Sequence, residues 1–122
     1  MIALIALGGV AGTLARYFVG AWLQGPNPVF PRGTLVINLV GSFVLGFVMR
    51  LATGSTLVTP EVRGALTVGF CGAFTTMSTF SYETVALVTD GEYWRAGLYA
   101  GGTIAGCLLA TVAGIAIAGE LL

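Results

Sequence analysis

The sequence predicts an all-α integral membrane protein, a single domain over residues 1–122 built from four transmembrane helices. Three observations carry this. Of 122 residues, 57% are hydrophobic and only 8% are charged, whereas soluble domains carry about 25% charge. The mean hydropathy is +0.96. Finally, breakers and charges cut the chain into apolar stretches, each near the length of about 20 residues that a spanning helix needs. The same composition excludes a soluble enzyme. Five arginines without lysine or histidine build no basic patch for nucleic acid, and two cysteines build no disulfide framework.

The first span covers residues 2–23. Its first basic residue, Arg16, follows the apolar run instead of preceding it, so the segment reads as a retained helix and not as a signal peptide. It ends at Gln24-Gly-Pro-Asn-Pro-Val-Phe-Pro, where proline forbids a continuous helix. The second span covers 33–52, closed by Arg50 and the polar stretch Thr53 to Pro60. The third covers 63–88. Asp90-Gly-Glu then makes a turn, and the fourth covers 95–119.

Small residues recur every fourth position on two of these helices: Gly8, Gly12 and Gly20 in line with Arg16, and Gly102, Gly106, Ala110, Gly114 and Ala118. In lipid, close backbone approach through small residues is a main source of helix association, so both stripes read as packing faces. Loop arginines are balanced across the membrane, Arg50 and Arg63 against Arg32 and Arg95. A chain without an Arg and Lys bias has no preferred orientation. An antiparallel homodimer is the simplest assembly that uses both insertions.

The third span is chemically unusual. After Gly69 and Gly72 it carries Thr75, Thr76, Ser78, Thr79 and Ser81, which points to a helix broken near the membrane midplane. Irregular backbone at that depth must be buried in protein or line a watery cavity. Its freed carbonyls can hold a cation, and its freed N–H groups and hydroxyls an anion. Asn38 is a lone amide in the second span, and Tyr99, Thr103, Cys107 and Thr111 form a stripe on the fourth. Met77 and Phe80 share a helical face, where core packing is the default reading; an aromatic ring turned edge-on into a path would present positive charge to an anion. Arg16 and Glu83 are the ionisable groups least obviously at a helix end. Donors outnumber carboxylates along this path, which favours an anion.

Three segments then resemble the bacterial Fluc/CrcB fluoride channels: Gly8-Gly-Val-Ala-Gly-Thr-Leu-Ala-Arg-Tyr, Gly33-Thr-Leu-Val-Ile-Asn-Leu-Val-Gly-Ser-Phe, and Gly69-Phe-Cys-Gly-Ala-Phe-Thr-Thr-Met-Ser-Thr-Phe-Ser followed by Tyr82 and Glu83. The resemblance covers all four spans in order. It implies an antiparallel, dual-topology homodimer in the bacterial inner membrane, conducting fluoride passively outward around a structural sodium ion. It also implies roles for particular residues. Gly72 and Thr75 match the positions whose backbone carbonyls hold sodium. Asn38, Met77, Ser78, Thr79, Phe80, Tyr99 and Thr103 match the fluoride pathway, and Arg16 and Glu83 its mouths.

Two residues depart from the family pattern. Met77 stands where the first of two pathway phenylalanines is usual, so edge-on ring coordination cannot operate there. Cys107 stands where a hydroxyl is usual and is a weaker donor. The alternative, a small dual-topology multidrug exporter, binds cations through a carboxylate within its first span. This first span has none.

Overall fold

The computed structural model describes residues 1–25 and 30–122, and among these every regular element is helical. They are α1 (Ile2–Gln24), α2 (Arg32–Gly54), α3 (Pro60–Gly64), a π-helical segment (Ala65–Cys71), α4 (Gly72–Phe74), α5 (Met77–Thr89) and α6 (Tyr93–Glu120). Three of these, α1, α2 and α6, are long and apolar enough to cross a membrane. With 23, 23 and 28 residues they extend at least roughly 34 Å, against a hydrocarbon core of roughly 30 Å. The chain is a multi-pass membrane protein. Between α2 and α6 lies a helical run from Pro60 to Thr89 that is interrupted at Thr75 and Thr76.

Local chemistry sets the boundaries. Arg32 donates from Nε to the carbonyl of Leu23 (2.7 Å), covering a free carbonyl at the end of α1 with positive charge. Gln24 then joins the two helices: its Oε1 accepts from the Gly33 amide (3.0 Å) and its Nε2 donates to the Phe30 carbonyl (3.0 Å). The proline-rich loop expected at 24–31 includes residues 26–29, which lie outside the described residues. Thr59 caps α3 by accepting the Val62 amide (3.2 Å), and Pro60 follows at a position where its missing N–H is no loss. The helical run therefore starts three residues before the expected 63.

At Gly91 the backbone is left-handed (φ 78°), with Gly91 N–H bonded to Val88 O and Glu92 N–H to Leu87 O. This terminus suits glycine because no Cβ opposes a positive φ. It turns α5 back along α6, which begins at Tyr93, slightly earlier than the expected 95.

Two glycine-mediated contacts hold the bundle. The helices α2 and α6 make its most extensive packing, and α1 packs chiefly on the segment from Ala65 to Phe74. A Cβ at Gly8 would overlap the carbonyl oxygen of Ala65, and one at Gly12 that of Phe70. The first glycine stripe is therefore a backbone contact at Gly8 and Gly12, whereas Gly20 lies beside the Ile37 side chain of α2. In the second stripe, Gly114 meets the backbone of Phe43 and Gly106 the side chain of Leu39, while Gly102 faces open space. Gly46 adds a further contact on the Thr111 carbonyl. The π-helical geometry of Ala65–Cys71 was not expected from the sequence. It coincides with the stretch on which α1 lies closest.

Gly114→Ala should destabilise the fold by about 1–3 kcal/mol, because its methyl must displace the Phe43 backbone. Thermal unfolding of the detergent-purified protein measures this, and an unchanged midpoint would contradict the packing.

Candidate functional site

The interruption at Thr75 and Thr76 is built by redirecting hydrogen bonds. Thr75 leaves α4 with ψ 158° and Thr76 enters α5 with φ −150° and ψ 114°, both extended. In a continuous helix the Thr76 amide would bond the Gly72 carbonyl, four residues earlier. Instead it donates to Asn38 Oδ1 (2.9 Å), and Asn38 Nδ2 donates to the Thr76 carbonyl (3.1 Å). One side-chain amide thus satisfies both backbone groups of one residue. The amide's orientation follows from chemistry, since Thr76 N–H needs an acceptor and Thr76 C=O a donor.

The remaining groups are met in the same way. The Ala73 carbonyl has lost its usual partner, Met77 N–H, and accepts from Arg16 Nε (3.1 Å). The Thr79 amide, which would serve the Thr75 carbonyl, donates to Thr76 Oγ1 (3.2 Å), so Thr76 also caps α5. The Thr76 hydroxyl in turn donates to Thr79 Oγ1 (2.9 Å) and lies 3.4 Å from Ser78 Oγ. The carbonyls of Gly72 and Thr75 are left with their normal donors committed elsewhere. They suit a hard cation, which takes oxygen ligands. Among the described residues no cluster of three or more His, Cys, Asp or Glu side chains could hold a metal.

A cleft of about 340 Å³ opens beside the break, lined by Asn38, Gly72, Thr75, Met77, Phe80 and Thr103 among others. Two donors face it uncommitted. Asn38 uses one hydrogen of its NH₂ on Thr76 and retains the other. Thr103 Oγ1 is buried without a hydrogen-bond partner among the described residues. Phe80, 8% exposed, packs against the fully buried Tyr99 with ring centroids 5.2 Å apart and planes at 50°. Tyr99 OH donates to Glu83 Oε1 (3.0 Å), joining α6 to α5. Met77 differs from Phe80 in being 72% exposed.

A second cleft of about 320 Å³ is lined by Arg16, Thr34, Thr76 and Thr79, and Thr76 lines both clefts. The structure thus brings Asn38, Gly72, Thr75, Met77, Phe80 and Thr103 to one cavity. Ser78 and Thr79 lie at the first turn of α5. Arg16, expected at a pathway mouth, is bound to the break itself. Glu83 lines a separate cleft of about 260 Å³ with Gln24 and Asp90.

Thr76 is the residue that sequence reasoning undervalued. Its signal was present as a threonine three residues before Thr79 at the start of a helix, the spacing of an N-cap.

Asn38→Leu should cost about 1–3 kcal/mol, because it leaves both part-buried Thr76 backbone groups without their protein partner. Thermal unfolding in detergent tests it. A loss under 1 kcal/mol would mean that water replaces the amide.

Comparison with known proteins adds the relationship. A family model described as "CrcB-like protein, Camphor Resistance (CrcB)" matches residues 3–115. A "Fluoride-specific ion channel FluC" of Chlorobaculum tepidum is 45% identical over 117 residues, covering 96% of this chain and 93% of that protein. Its counterpart in Geobacter sulfurreducens is 44% identical over 118 residues, covering 96% and 95%. That of Anaeromyxobacter sp. (strain K) is 46% identical over 111 residues, covering 90% and 88%. Matched along nearly its whole length by the family model and by these relatives, the chain belongs to the CrcB family.

Proposed function

We propose that this protein is a fluoride channel of the bacterial inner membrane, working as an antiparallel homodimer. One observation carries the reading: a helix break whose polar groups are satisfied from α1 and α2 borders a cleft with uncommitted donors. Its relatives, fluoride-specific ion channels by name, supply the ion. In this reading the run from Pro60 to Thr89 is a fourth span, with its break near mid-depth. Gly72, Met77 and Ser78 are exposed on the single chain. Lipid cannot cover freed carbonyls, because an unsatisfied group costs several kcal/mol in hydrocarbon. A second copy of the chain can.

Fluoride is a small anion that sheds water only for close, strong donors. The free N–H of Asn38, the Thr103 hydroxyl and the positive edge of the Phe80 ring provide them in succession. The Glu83 carboxylate, which would repel the ion, is engaged by Tyr99. At Met77 no ring edge is available, so Phe80 carries the aromatic part of the path. The driving force needs no coupling chemistry. A membrane potential negative inside expels an anion with about 2.3 kcal/mol per charge per 100 mV.

The same reading assigns the central cation. The carbonyls of Gly72 and Thr75, from both subunits, would hold a structural sodium ion, whose charge offsets inward-facing carbonyl dipoles. A Cβ on Gly72 would meet only Thr67 O, at 3.7 Å, within the chain. Any need for glycine there comes from the facing subunit.

Fluoride efflux from liposomes holding only this protein tests the function. Phe80→Ile should abolish efflux while the dimer persists by size exclusion, and Met77→Phe should retain it. Normal efflux through Phe80→Ile would remove the ring from the path. Topology is tested separately: a C-terminal tag should be accessible from both sides of the membrane. A tag reached from one side only would exclude the antiparallel dimer.

A further inference from the structure

The helices α2 and α6 run parallel at a constant offset. Thr111 Oγ1 donates to the Ser42 carbonyl (3.4 Å), the rings of Phe30 and Tyr99 meet edge to face with centroids 5.5 Å apart, and the Arg50 side chain lies beside Gly119. In each pair the partners are 69 residues apart. Asn38, which clamps the break, is therefore level with Cys107. From Cys107 back to Trp94 the axis of α6 covers about 20 Å, at about 1.5 Å per residue. In the other direction Arg50 stands about 18 Å from Asn38 along α2, its guanidinium beside Gly54 at the helix end. Trp22 lies closer to the break. The helix α1 is antiparallel to α2, with the Gly20 backbone against Gly33, so Trp22 is about 10 Å from the level of Asn38.

We propose that Tyr93 and Trp94 form a contact surface for phospholipid headgroups at the tip of the α5–α6 turn, with Trp22 below them among the acyl chains. The side chains at the tip suit neither water nor hydrocarbon. Tyr93 is 71% and Trp94 82% exposed, so two large apolar ring faces would be wasted on water. Asp90 and the Glu92–Arg95 ion pair (2.9 Å) stand beside them, and charge is expensive in hydrocarbon. The headgroup layer accepts both, because an amphipathic ring there keeps its face in apolar surroundings while its N–H or O–H finds an acceptor. Distance agrees. Hydrocarbon extends about 15 Å from the midplane and headgroups to about 20–22 Å. With the break at mid-depth, Trp94 and Arg50 fall in the two opposite headgroup layers, and Trp22 falls in hydrocarbon. These absolute depths rest on the mid-depth position proposed for the break; the greater depth of Trp22 rests on the helix register alone.

Tryptophan emission tests the surface, with the full-length protein reconstituted in phosphatidylcholine vesicles. Trp22→Phe leaves Trp94 as the sole tryptophan, and Trp94→Tyr leaves Trp22. Some of the lipid carries a nitroxide on its headgroup or, in separate vesicles, bromine at mid-chain. Trp94 should be quenched most by the nitroxide, and Trp22 most by bromine. Size exclusion and the thermal midpoint identify a misfolded variant, for which Trp→Leu takes its place. Trp94 quenched most by bromine would overturn the proposal, and so would equal depths for the two residues. Quenching of Trp94 by aqueous iodide but by neither lipid would place the tip in water. Protection from all three quenchers would mean that protein, such as a second copy of the chain, covers it. Either result removes the lipid surface. Fluoride efflux is read separately: the expected depths without efflux would uphold the lipid surface and sink the channel reading.

Discussion

The two hydrogen bonds between the Asn38 amide and the Thr76 backbone hold apart a helix that its own backbone would otherwise close. A helical N–H and C=O find each other at no cost when the chain is continuous. Prising them apart inside a membrane protein requires replacement partners with matched geometry, because no bulk water is present to supply them. Asn38 supplies a donor and an acceptor from one rigid amide. Everything distinctive about the site follows: the α5 cap on Thr76, the Ala73 carbonyl passed to Arg16, and the carbonyls of Gly72 and Thr75 separated from their usual donors.

The clamp works only because α1 and α2 lie close enough to reach the break. Glycine makes this possible. Gly8 and Gly12 let α1 contact the backbone of Ala65 and Phe70, which brings Arg16, one further turn along, to Ala73. Gly41, one turn after Asn38 on α2, lies against the Thr75 side chain, where a Cβ would overlap the methyl group. The glycine stripes thus do more than hold the bundle together. They set the distance at which polar side chains can substitute for a missing turn of helix. Packing and chemistry are the same constraint here.

The exposed side of the break is the counterpart of this arrangement. Among the described residues, the Thr103 hydroxyl is the buried side-chain group left without a hydrogen-bond partner. Gly72 and Met77 instead face outward. On the proposed reading, a second copy of the chain covers this polar backbone in place of lipid.

Membrane residence and the helical class were legible in the sequence, because each depends on local composition, whereas four spans were expected and three helices among the described residues are long and apolar enough to cross. Apolar length, proline and the Thr75-to-Ser81 hydroxyl cluster report directly on what a segment can do in hydrocarbon. The motifs around Gly8, Asn38 and Gly69 also carried the family relationship, which the comparisons show. What the sequence could not reveal was which partner each freed group takes. Asn38 and Thr76 are 38 residues apart, and Arg16 and Ala73 are 57 apart. No local pattern encodes those pairings, and so the parts that Arg16 and Thr76 play at the break were not read from the sequence. The π-helical turn and the open space at Gly102 were equally invisible. Helix termini and apolar spans are decided by neighbours in sequence, whereas a hydrogen bond across the bundle is decided by how closely two backbones approach. Only the packed tertiary structure determines that distance.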